Sequence, residues 1–144
     1  MNTSVDNFAM NILEDAKPLS STILNVAVEL SENNLKQLLN LHSFFGLQEN
    51  WDSYGAKKPS PVAILKAVNF IVQELNPFNF EVFFSAPTAD GDIVVEIKNL
   101  TYSIEIIFSR DVPDKIICSC NDELHAEENL NETTFNSYTQ WLFN

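Results

Sequence analysis

The chain has 144 residues, 45% of them apolar, with 20 acidic and 8 basic side chains and a formal net charge of −12. That is material for one ordinary domain, and 3 Gly and 6 Pro exclude a low-complexity or collagen-like chain. The acid excess also argues against a stand-alone DNA or RNA reader, because nucleic-acid affinity comes from clustered Lys and Arg that release counterions.

Residues 1–18 read as a polar lead-in ended by Pro18, with residues 19–144 as a single domain. Residues 1–14 contain no Lys or Arg, and Phe8, Met10, Ile12 and Leu13 are interleaved with polar residues, which is not the pattern of a secretory signal. No window approaches the roughly 18 apolar residues needed to cross a bilayer, so no membrane contact is expected. Cys118 and Cys120 would point the same way from a strand, too far apart for easy bridging, so the expectation is a reduced cytoplasmic protein.

In residues 23–30, Leu24, Val26, Val28 and Leu30 alternate as in a half-buried strand. Ser31 then suits the N-cap of a helix with Leu35, Leu38, Leu39, His42 and Phe45 on one stripe, stopped by Gly46. Residues 50–59 hold turn formers and two large aromatics, Trp51 and Tyr54, and read as a connecting loop whose rings cover the edge of the core. Ser60 caps a second helix with Pro61 at its first position, and Ile64, Leu65, Val68, Ile71, Val72 and Leu75 face a core until Asn76-Pro77 ends it.

From there the period is two. Phe78, Phe80, Val82 and Phe84 share one face of a predicted strand, and Asp90-Gly91 turns the chain. Ile93, Val95 and Ile97 continue the alternation, followed after a turn at Asn99-Leu100 by Tyr102, Ile104, Ile106 and Phe108. Pairing Ile97 with Tyr102 and Val95 with Ile104 sends this set to one buried face. Val112-Pro113-Asp114 turns into a strand at Lys115–Cys120. Residues 121–132, with five acids and no base, read as a solvated loop or helix face, and residues 133–143 as a helix with Phe135, Tyr138, Trp141 and Leu142 inward. The predicted class is α+β: a four-stranded antiparallel β-meander packed against two or three helices.

Two motifs, Trp51-Asp52-x-Tyr54-Gly55-Ala56 with Pro59 and Ser60, and Ala86-Pro87-Thr88-Ala89-Asp90-Gly91 with Ile93, Glu96 and the strand over residues 102–106, resemble a set of small bacterial proteins of unknown activity. The likeness spans about residues 35–110 and implies a shared helix, loop, helix and hairpin scaffold. It implies no activity. Residues 111–144 lie outside it and hold seven acids against Lys115 alone, a net of −6.

Four constellations bear on chemistry. Asp90 or Asp92 followed by Glu96-x-Lys98 is the pattern of a divalent-metal-dependent nuclease, in which carboxylates hold the ion and the Lys positions water. Glu96 and Glu105, diagonal neighbours in the inferred register at roughly 7–8 Å, form a carboxylate pair suited to acid/base work on glycosides. Cys118, Cys120 and His125, with Asp122 or Glu123, would supply zinc ligands, although C-x-C spacing is unlike that of structural zinc sites. Trp51 and Tyr54 are the residue types that anchor ligands or protein interfaces, beside a structural role for Asp52 as acceptor of backbone hydrogens.

The expectation is a non-catalytic acidic protein-binding module that meets a basic effector, as an immunity protein, antitoxin or defence-system accessory subunit does. Its contacts would be Trp51, Asp52 and Tyr54 together with Asp122, Glu123, Glu127, Glu128 and Glu132, with no cofactor and no direct nucleic-acid partner. The alternatives are the nuclease-like enzyme and a small regulatory module binding a ligand around Trp51 and Tyr54.

Overall fold

The computed structural model describes residues 30–144. The lead-in and the strand read over residues 23–30 lie outside these, except Leu30, which packs against the core. Helix α1 (Glu32–Ser43) begins where the Ser31 hydroxyl accepts the Asn34 N–H, buries Asn34, Leu38 and Leu41, and tightens into a 3₁₀ turn at Phe44–Gly46. Helix α2 (Pro61–Phe70) is capped by Ser60 with Pro61 first, and widens into a π turn at Ile71–Leu75. A 3₁₀ turn at Asn76–Phe78 follows, closed by Asn79 in the left-handed region at φ 60°.

Five strands make one antiparallel sheet in chain order: β1 (Phe84–Pro87), β2 (Ile93–Asn99), β3 (Tyr102–Phe108), β4 (Lys115–Cys120) and β5 (Glu123–Asn129). Helix α3 (Glu132–Phe143) closes the fold, with Asn131 and Thr134 forming a reciprocal capping box. Alternation decides the faces. Ile93, Val95, Ile97, Ile104, Ile106, Phe108, Ile116 and Cys118 are buried in one cluster with α2 and with Phe135 and Leu142 of α3, while Glu96, Lys98, Glu105 and Ile117 lie on the opposite face.

The α+β class stands, but the sheet has five strands and not four. The acidic segment read as a loop or helix face is β5, entered through Asn121 and Asp122 at φ 54° and 64°. Two consecutive left-handed residues make the tight turn that matches strand twist. Charge did not prevent the strand because β5 is an edge, where one side of the backbone meets water and acidic side chains are tolerated. It also carries a bulge: Ser119 pairs with Leu124 and Cys118 with Ala126, so His125 is the extra residue.

The strand predicted over Phe78 to Phe84 is corrected as well. Only Phe84–Pro87 is extended in the sheet, and Phe78 and Phe84 are exposed. The cause is Asn34, whose buried amide donates to the Phe80 carbonyl at 3.1 Å and accepts the Val82 N–H at 3.0 Å, while Asn33 takes the Val82 carbonyl at 2.7 Å. Side chains of α1 thus hold the backbone groups that a strand partner would have used. The β2–β3 register is offset by two from the prediction, with Ile97 opposite Ile104 and Val95 opposite Ile106, and the turn falls at Leu100 and Thr101. An even shift preserves the face, so the set stays on one side of the sheet, but Tyr102 at its end is 38% exposed and meets Trp141 edge-on instead of entering the core.

Candidate functional site

The aromatic loop is built by its own polar groups. Asp52 Oδ1 accepts the Tyr54 and Ala56 N–H groups at 2.8 and 3.0 Å, Asn50 Oδ1 accepts the Gly55 N–H at 2.7 Å, and Trp51 Nε1 donates to the Lys57 carbonyl at 3.0 Å. The N–H groups of Tyr54 first and then Ala56 hold the Asp52 carboxyl below its ordinary 3.8. The loop then joins the β1–β2 turn: Lys57 N–H donates to the Ala89 carbonyl and Ser60 N–H to the Gly91 carbonyl, both at 2.9 Å. Thr88 Oγ1 accepts the Asp90 and Asp92 N–H groups from inside that turn. The two sequence motifs are therefore one clamp. Gly91 is required there twice over, by its φ of +88° and because a Cβ would stand 3.0 Å from the Lys58 carbonyl oxygen. Tyr54, expected to cover the core edge, instead projects with 92% of its surface exposed.

The nuclease-like residues are not gathered. Asp90 and Asp92 line a cleft with Lys57, Lys58 and Arg110, whereas Lys98 lines another with Glu81 and sets its ammonium 4.5 Å from the Phe83 ring centroid. Glu96 and Glu105 are directly opposite rather than diagonal. The Glu96 carboxyl is raised above 4.5, chiefly by desolvation, with Lys98 opposing and the Glu105 and Asp122 charges adding to the rise.

The cysteine and histidine candidates also separate. Cys118 is in the core, its thiol pushed up to about 12 by burial and then by Glu128, and His125 stacks on Trp141 at 4.9 Å with the rings 9° from parallel. Among the described residues no group of three His, Cys, Asp or Glu side chains is placed to hold a metal ion. His42 contacts the edge of Phe45.

The acids of β5 and its flanks present the clearest unspent chemistry. Asp122, Glu123, Glu127, Glu128 and Glu132 are all exposed. Ion pairs among the described residues are Lys66–Asp114 and Arg110–Asp111, so none of the five is neutralised by one. Glu128 alone is engaged, accepting the Tyr138 hydroxyl of α3, a bond that pushes the phenol up to about 12. What sequence reasoning missed here is the strand itself, for which the pair Asn121-Asp122 was the available signal.

A cavity of about 920 Å³ lies between α2 and α3. From sequence Phe78, Phe80, Phe108 and Phe135 read as core positions and Phe70 carries no signal, since nothing in their spacing distinguishes a cavity wall from a filled interior. Neither the family models, the curated proteins nor the solved structures contain a match to this chain.

Proposed function

We propose that the chain is a non-catalytic protein-binding module that offers β5 and its flanking turns to a cationic partner, as an immunity protein, antitoxin or accessory subunit of a bacterial toxin or defence system would. The supporting observation is β5 itself: an exposed edge strand carrying Glu123, Glu127 and Glu128, with Asp122 before it and Glu132 after it, and no cation paired to any of them among the described residues. A row of like charges on a sheet edge repels a second acidic strand and attracts a basic surface, setting both partner choice and association rate. Tyr54, held on a hydrogen-bonded loop with its ring in solvent, supplies a second contact of the type that anchors interfaces.

The test is affinity capture from the native cell with the wild-type chain and with Glu123→Gln/Glu127→Gln/Glu132→Gln. Retention of a basic protein that is released by salt, and about tenfold weaker binding by the variant, is the expected outcome. Capture of no basic protein, or equal capture by the variant, overturns the reading.

A further inference from the structure

We propose that the cavity between α2 and α3 is a binding site for a primary ammonium compound with an apolar body. Its volume of about 920 Å³ is within the range of small-molecule pockets. One wall is aromatic: Phe70 meets Phe108 at 5.5 Å and Phe135 at 5.0 Å between ring centroids, and Phe135 meets Phe80 at 6.4 Å. Such a wall accepts a hydrocarbon body.

The charges around the cavity select the sign. Among the described residues that line it, Lys66 and Asp114 are paired at 3.2 Å, with the Lys66 ammonium also donating to the Ser109 carbonyl at 2.8 Å, which leaves the exposed carboxylates Glu74 and Glu132 as the unpaired charges. An anion would find no unpaired cation among the described lining residues. Asn69, another lining residue, supplies a specific acceptor: its Oδ1 is the buried side-chain atom among the described residues that has no hydrogen-bond partner. A buried acceptor without a donor is costly, and an N–H from a ligand removes that cost once the terminal amide rotates to meet it. A primary ammonium supplies the donor and the charge together.

The probe is phenethylammonium, titrated into the full chain and followed by amide NMR, with phenylacetate as the same ring bearing the opposite charge. Expected is saturable binding of phenethylammonium with a Kd on the order of 1 mM, shifts concentrated on α2 and α3, and no saturation by phenylacetate. Asn69→Leu should leave the fold at least as stable, because it deletes the unpaired oxygen, while weakening binding about tenfold. Glu74→Gln, at an exposed position, should weaken it about threefold whether or not the first variant folds. Absence of saturation by about 20 mM, roughly twenty times that Kd, overturns the proposal. So does equal binding of phenylacetate, or unchanged affinity in both variants. Glu132 borders both surfaces, but Asn69→Leu and Glu74→Gln leave it and β5 unchanged, so failure of this site leaves the reading of β5 standing.

Discussion

The loop over residues 50–60 and strand β5 are both polar segments that flank the sheet, but they use their polar groups in opposite ways. In the loop, Asp52, Asn50 and Trp51 are spent on backbone N–H and C=O groups within six residues, and the chain is tied to the Thr88–Asp92 turn by further backbone bonds. In β5 the backbone is satisfied on one side by β4, and three of its seven residues are glutamates directed at solvent or, for Glu128, at one tyrosine hydroxyl. Polarity in the first region is internal structure. In the second it is available surface, and the difference lies in whether each polar atom already has a partner.

Gly91 carries the largest expected effect. Gly91→Ala places a Cβ against the Lys58 carbonyl in a backbone conformation at φ +88°, and is expected to cost about 2–3 kcal/mol by urea denaturation. A loss under about 1 kcal/mol would mean that the clamp yields easily and is not the rigid half of the contrast.

Asp52 gives the next effect, with a defined pH sense. Its folded carboxyl titrates below 3.8, so its ionised form stabilises the fold above the unfolded value, and that contribution is lost as pH falls through the lower folded value. Asp52→Ala should therefore destabilise at neutral pH, and the gap from wild type should narrow as acid is added below 3.8, measured by denaturation midpoints across pH. A gap that is independent of pH would remove the charge from the account.

On the other side of the comparison, Glu128→Gln should return the Tyr138 phenol from about 12 toward its ordinary 10.0 in an ultraviolet titration, since the bond to Glu128 is the largest cause of the rise. The smallest effect is expected for Glu123→Gln/Glu127→Gln, which should change stability by no more than about 0.5 kcal/mol. A larger loss would show that these acids serve the fold and are not surface held in reserve.

The two capped helices were legible because their signals are local, a Ser at each N-cap and Pro61 at the first position of α2, but the stripe read for α1 was misplaced: the helix buries Asn34, Leu38 and Leu41, and Leu39 is exposed. The buried face of β2 and β3 was legible for a different reason, since an error of two in register leaves every side chain on its own side. What escaped depends on distant partners. Residues 78–83 alternate like a strand, but Asn34, more than forty positions away in the chain, claims their backbone. The β5 segment reads as solvated, which it is, but composition does not distinguish a solvated edge strand from a loop. The role of Asp52 was open to local reasoning, whereas the exposure of Tyr54 and the cavity beside Asn69 follow from tertiary packing alone.

The two borders of the sheet are unequal. At β1, α1 lies alongside, Asn40 donates to the Ser85 carbonyl at 3.1 Å, and Pro87 has no N–H to offer; at β5, among the described residues, the border is open. A sheet with a single open border has one direction of growth. A basic strand that joined β5 would meet its acids with opposite charge, whereas a second copy would bring acid against acid there. The asymmetry made by one helix and one proline is thus a limit on stoichiometry: whatever pairs along this sheet does so once per chain.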